Sequence, residues 1–438
     1  MQLRNYAEFT SMRKLLLFAA LLTAIVNCSS ALAQTNCSTS GNSHLYCVPI
    51  LAVENLHVPG ATITPTVPPA FSALNASLGI ELSDVPKPSP ASGIIFSFGP
   101  SGLTRERELG PIFTERPSIV GRHKLYVAFT YQYFEFDKLD SVSLKNIPLQ
   151  ISGCQSGTPG CTTNPFIETQ SRLDLKVHQF TVYATYGLFN RVDVSVAVPI
   201  LDVRMGMHAT CFVCGQTLPP SSTLPSGGLL VFTPNDTTAS AGGIGDVTFR
   251  VKGTLVKGER AGLAVGVDVR TPTGNDLNYL GSGAIGVRPF AAVDYRARVS
   301  PHASIGYEAN GSSVLASTDQ STAKSLPNFL TYTAGADIGV SKRLSVTGDL
   351  LGTVYFNANR LLLGAVTGPQ GLGNPNVTCS LTSNATCQGQ TFNTNSFSVG
   401  AKYNPTRNLI ITANVLFKLD DNGLHYKPAP MGGISYTF

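Results

Sequence analysis

Arg250 and Lys252 stand two residues apart in "IGDVTFRVKGTL", and Asp268 and Arg270 stand two apart in "AGLAVGVDVR". Alternate residues of an extended chain share a face. The turn "KGERA" joins the two segments, so all four side chains converge if the segments pair as a hairpin. Opposite charges so placed either pair with each other or grip a polar group of a bound molecule or of another part of the chain. The same parity, carried along the chain, adds Arg288, Asp294, Arg296, Glu308, Asp337 and Asp349 to this face, together with Lys176, Arg204, Lys402 and Lys418 and the acidic Asp174, Asp193, Asp202 and Asp246. Basic and acidic residues mix without a run of one sign, which opposes a strongly ion-selective path.

Hydrolytic chemistry has little to work with. An outer-wall lipase needs a nucleophile and a base side by side, whereas the opposite faces of these segments are aliphatic and aromatic almost throughout. His178 is read as the one strand histidine with acidic company, Asp174, and its role as structural. The chain is therefore not expected to be an enzyme, and no cofactor or metal is expected.

The elements that must carry the charged face are strands. In "KLYVAFTYQY", Leu125, Val127, Phe129, Tyr131 and Tyr133 share one side, opposite Tyr126, Ala128, Thr130 and Gln132. Such two-period segments recur near residues 124–136, 173–186, 192–207, 244–256, 262–270, 284–297, 302–310, 329–340, 344–356, 396–404, 408–419 and 430–438. Their connections alternate strictly: "GLFNR", "KGERA", "SKR" and "PTRN" are short, and the links between them are long and rich in Gly, Pro, Asn and Thr. An even strand count with short turns at one rim and long loops at the other predicts an all-β fold, a transmembrane antiparallel β-barrel of about twelve strands. A soluble sandwich also alternates, but its polar face should be rich in Lys and Glu. Here that face is Gly, Ser, Thr and Ala with sparse charges, as a crowded barrel interior would be.

In two segments the apolar phase slips. Leu173, Leu175 and Val177 are followed by Phe180 and Val182, and Val196 and Val198 by Leu201, Val203, Met205 and Met207. Both slips lie about equally far from "GLFNR", so a joint bulge near Gln179 and Pro199 is expected, with a change of face on either side.

The ends and the composition fit export to an outer membrane. Arg13 and Lys14 precede an apolar run from Leu15 to Val26, and "SSALAQ" offers cleavage before Gln34, so residues 1–33 read as a signal peptide. Its removal leaves 28 basic against 25 acidic residues, a balance that argues for no nucleic-acid partner. The last strand puts Ile434, Tyr436 and Phe438 on its apolar side, resembling the C-terminal signal read by the barrel-insertion machinery. Cleavage also takes Cys28 from the nine cysteines and leaves four close pairs: Cys37 with Cys47, Cys154 with Cys161, Cys211 with Cys214, and Cys379 with Cys387. Spacing does not fix their connectivity. Disulfide-pinned loops are expected in an oxidising compartment, with a metal or redox site at "CFVC" as the alternative.

Residues 34–123 are proline-rich, without sustained period beyond a short strand near Ile94 to Phe98, and carry the charge cluster Arg105, Glu106, Arg107, Glu108, Glu115 and Arg116. They read as a floppy periplasmic leader or as a plug folded inside a barrel of residues 124–438.

"SPASGIIFSF", "GPIFTER", "YGLFNRVDVSVAVPI", "GIGDVTFRVKGTL" and "RTPTGNDLNYLGSGAIGVRPF" together resemble the MetA-pathway phenol-degradation family of outer-membrane transporters, over most of residues 90–300. The resemblance implies a barrel in outer-membrane lipid that passes a small-molecule cargo, aromatic molecules among the candidates, and names no specific substrate. A structural or adhesive barrel without transport is the alternative.

Overall fold

The computed structural model describes residues 37, 44–54, 69–83, 85–90, 96–99, 102–105, 109–152, 166–214, 235–258, 260–316, 323–358, 360, 363–366, 374–377, 390–406 and 408–438. Twelve strands form the wall: β1 (Leu125–Leu139), β2 (Phe166–Phe189), β3 (Val192–Cys214), β4 (Thr248–Lys257), β5 (Ala261–Arg270), β6 (Gly286–Tyr295), β7 (Val299–Asn310), β8 (Asn328–Gly339), β9 (Leu344–Ala358), β10 (Gln390–Thr406), β11 (Leu409–Lys418) and β12 (Ala429–Thr437). Each pairs antiparallel with its neighbours in sequence, and β12 returns to β1 through Ile434 opposite Phe129. The sheet is thus closed, with no free edge around the ring.

The alternation read from the sequence decides which way side chains point. Phe129, Val251, Leu255, Ile305, Phe397 and Ile434 are exposed on the outside, while Arg250, Lys252, Asp268, Asp349 and Lys402 are buried within. Water would penalise so much exposed apolar surface, and hydrocarbon does not. A closed barrel with an apolar outside satisfies every backbone group of the wall, as a lipid-spanning fold must. This chain is a closed β-barrel built to sit in a membrane.

The expected joint bulge is absent between β2 and β3, although on the other side of Pro199 the register shifts by one residue, with Ala197 opposite Thr248 and Ile200 opposite Ile244. The β2–β3 ladder runs unbroken through Gln179 opposite Leu201 and Thr181 opposite Pro199. Residues Leu173, Leu175, Val177, Gln179, Thr181, Tyr183 and Thr185 all stay buried on one face. What changes is the polarity of the two sides. Within the membrane the apolar residues face out, as Phe180 and Ile200 do; beyond it they face in, and Asp174, Lys176, Asp202 and Arg204 face out. With 24 and 23 residues, β2 and β3 far exceed the roughly 9–11 that a tilted strand needs to cross the bilayer. Their ends project into water. The parity reading of Asp174, Lys176, Asp202 and Arg204 as lumenal is thereby corrected: Arg172 pairs with Asp174 and Arg204 with Asp202 on the outer surface.

The inner faces of these projecting ends pack on two helices of the N-terminal segment, α1 (Val48–Glu54) and α2 (Pro69–Ser83). Tyr46, Val48, Leu74 and Leu78 join Leu175, Val203, Met205 and Met207 in one apolar core. The helices were not legible in the sequence because the apolar residues of "PAFSALNASLGIELS" are spread round the axis instead of forming one stripe. From α2 the chain runs on through residues 85–90 and 109–123 to β1, where His123 donates its backbone N–H to Gly187 O. A side chain at Gly187 would overlap the carbonyl of Gly121, so this close passage requires glycine.

Candidate binding site in the lumen

Residues 109–120 are held by the wall at every step. Lys402 Nζ donates to the Leu109 and Pro111 carbonyls at 3.3 and 2.6 Å. Asp349 accepts from the backbone N–H groups of Ile112 and Phe113, each at 3.4 Å, and from Thr114 Oγ1 at 2.8 Å. Lys252 Nζ donates to the Arg116 and Ser118 carbonyls at 3.0 and 2.9 Å, Thr254 Oγ1 to the Pro117 carbonyl at 2.6 Å, and the Val120 N–H donates to Asp193 at 2.8 Å. Those of the two lysines and two aspartates are charge-assisted, the stronger kind.

Of Arg250, Lys252, Asp268 and Arg270, all buried, the structure brings together Arg250 and Asp268, while Lys252 and Arg270 take other partners. Arg250 donates to both carboxylate oxygens of Asp268, at 2.6 and 2.7 Å, and pairs with Glu115; its guanidinium lies 4.8 Å from the Phe290 ring centre. Arg288 donates to the same Asp268 at 2.6 and 3.1 Å. Arg270 turns away from Asp268 to bind Glu308 at 2.9 and 3.0 Å and Asp246 at 3.0 Å. Arg116 lies 3.8 Å from Asp294 and Arg296 3.7 Å from it, with Arg296 also bonded to the Gly258 carbonyl in a short turn.

A second cluster has His302 at its centre, and it corrects the reading of His178. His178 meets Tyr131 Oη on the outer surface. Three other strand histidines do have acidic partners: His208 pairs with Asp236, His425 with Asp137, and His302 has two, its Nε2 2.6 Å from Asp349 and its Nδ1 3.5 Å from Asp337, all three of the last cluster buried. Gly335 lies opposite both His302 and Asp349 in the ladder. A Cβ there would come within 2.5 Å of Asp349 Oδ1 and 2.6 Å of His302 Nε2, so the small residue makes room for the bond.

Between residues 81–90, Phe113, Glu115 and the wall lies a cavity of about 220 Å³. Arg250, Asp268, Arg270, Arg288 and Glu308 supply one side, and Phe136, Tyr183, Phe329, Leu351, Tyr355 and Tyr426 another. At the long-loop rim Lys138 binds Asp421 at 2.9 Å and holds its carboxyl below the usual carboxylate range.

Of the other charges singled out, Arg105 ends a strand, Gly102–Arg105, that pairs with Phe96–Gly99, and Glu106, Arg107 and Glu108 lie outside the described residues. Cys37 is bonded to Cys47. Cys211 and Cys214 lie within the last turn of pairing of β3 instead of in a loop, opposite Thr169 and Ile167. Cys154, Cys161, Cys379 and Cys387 fall outside the described residues. Ile434, Tyr436 and Phe438 point outward, Phe438 being 67% exposed.

No protein-family model matches the chain, and no curated protein does. Among solved structures it is similar to the COG4313 outer membrane channel from Pseudomonas putida F1, at 14% identity over 73% of this chain and 97% of that one, TM-score 0.43. It is also similar to a Pseudomonas aeruginosa FadL homologue, at 10% identity over 79% and 95%, TM-score 0.30. A mutant of the monoaromatic hydrocarbon channel TodX matches at 8% identity over 78% and 99%, TM-score 0.33.

Proposed function

We propose that the protein is an outer-membrane channel for passive uptake of small, largely uncharged molecules, aromatic ones among them, and that residues 34–120 restrict its lumen as a plug. The observation that carries this reading is the cavity between the N-terminal segment and the wall, a solute-sized space inside the barrel. A barrel built only as a surface scaffold would have no use for it. The mixed charges are spent on one another and on residues 109–120, which leaves no field of one sign to repel or select ions. Ile434, Tyr436 and Phe438 serve as the outward stripe read during insertion.

The test is single-channel conductance and liposome uptake of small solutes by the intact protein and by a chain lacking residues 34–120. The intact protein should conduct weakly and the shortened one more strongly and less selectively. Silence of both in conductance and uptake would replace this reading with that of a structural or adhesive barrel.

A further inference from the structure

The charged side of the cavity is an ordered chain of alternating sign. Glu115 pairs with Arg250, Arg250 with Asp268, and Asp268 with Arg288. Arg288 is the end of that chain. Beyond Asp268 its one further hydrogen bond among the described residues is a long one, Nη1 to Thr331 Oγ1 at 3.4 Å. Its side chain is 27% exposed where those of Arg250 and Asp268 are 5% exposed. A guanidinium has five N–H donors in a planar fork, so Arg288 presents unspent donors to the cavity. The nearby carboxylates are committed: Asp268 to two arginines and Glu308 to Arg270.

An aromatic platform stands beside it. Glu308 lies opposite Phe329 across β7 and β8, Phe329 opposite Tyr355, and Tyr355 opposite Phe392. The Phe329 and Tyr355 rings are 5.6 Å apart, and Tyr355 and Phe392 are 5.1 Å apart. A dry cavity of about 150 Å³ accepts benzene. The present one, about 220 Å³, has room for one ring and one small substituent.

We propose that this cavity binds a single-ring aromatic carboxylate, its ring on Phe329 and Tyr355 and its carboxylate on Arg288 and Thr331. The inference rests on the channel reading and changes one term of its cargo, a single carboxylate in place of a largely uncharged solute, because Arg288 keeps N–H donors that a bare ring would leave unmet. Carboxylate and guanidinium match as a two-pronged pair.

Calorimetric titration of the full chain in detergent at neutral pH tests it, with benzoate, benzyl alcohol and acetate as probes. Benzoate should bind about tenfold more tightly than either of the others. Arg288→Met should abolish the preference for benzoate over benzyl alcohol, and Arg288→Lys should keep part of it. If Arg288→Met does not fold, shown by loss of heat-modifiable migration, Thr331→Val carries the test: benzoate should weaken severalfold with benzyl alcohol unchanged. Equal binding of benzoate and benzyl alcohol, or a preference that survives Arg288→Met or Thr331→Val undiminished, overturns the proposal. Binding in detergent requires no transport, so a protein that binds benzoate yet conducts nothing strikes the channel reading alone, and one that conducts without binding strikes this inference alone.

Discussion

Asp349 ties three parts of the molecule together at one carboxylate: the backbone of Ile112 and Phe113, the Thr114 hydroxyl, and His302. Replacing it with Ala would leave buried donors without acceptors, which costs about 1–3 kcal/mol for each such group. Asp349→Ala is therefore expected to lower the unfolding midpoint in urea and to raise conductance by loosening residues 109–114. Gly335→Ala should move both quantities the same way, because its methyl would occupy the space of the His302–Asp349 bond. An unchanged conductance in both variants would show that these contacts do not restrict the lumen. Individual lumenal charges such as Arg250 and Asp268 were legible in the sequence because side-chain parity alone assigns a face. His302 was not, since "VSPHASIGYEAN" offers it no acidic partner nearby and its carboxylates arrive from β8 and β9 by register.

At the level of elements, every wall strand was readable from its two-residue period and from the alternation of short and long connections. The phase slip in β2 and β3 was read as a bulge because periodicity reports a change in which parity is apolar and is silent on whether the backbone or the surroundings changed. The surroundings did: hydrocarbon outside gives way to water, and a lumen lined with polar groups gives way to α1 and α2. The level of the change, between Phe180 and His178 on β2, is marked by Tyr131, whose ring centre is 4.8 Å from that of Phe180 and which bonds to His178. Aromatic residues favour such an interface. Lys176→Cys and Arg204→Cys should accordingly be labelled on intact cells by a membrane-impermeant maleimide above the background of the unsubstituted protein, and Val182→Cys should not. Labelling at Val182 with protection at Lys176 would reverse the assignment of membrane and water. Phe180→Arg should cost up to about 2–4 kcal/mol of stability if its site is deep in hydrocarbon and less near the interface, whereas Lys176→Leu should stay within roughly 0.5 kcal/mol.

For the whole molecule, the barrel and its contents differ in how they are fixed. The wall closes through backbone pairing between β12 and β1 that needs nothing inside. Residues 109–120 supply one acid, Glu115, and one base, Arg116, and residues 34–120 as a whole six acids and four bases, so removing them takes away a net charge of only −2. Lys252 and Lys402 lose carbonyl partners, and Asp193 and Asp349 lose backbone N–H donors, but water entering the vacated lumen can replace all of them. A chain without residues 34–120 should for that reason still fold to a heat-modifiable barrel, at a lower unfolding midpoint, and open a pore. The residues then facing water are the cations Arg250, Lys252, Arg270, Arg288, Lys402 and Lys418 and the anions Asp193, Asp246, Asp268, Asp294, Glu308, Asp337 and Asp349, with His302 between two of the latter. Most are paired across strands, so little of the acidic surplus projects into the pore. The reversal potential in a potassium chloride gradient should show a weak preference for the cation, less than about threefold at physiological salt. A strong anion preference would mean that the arginines part from their carboxylates once residues 109–120 are gone, and that these residues order the charges of the wall as well as filling the space between them.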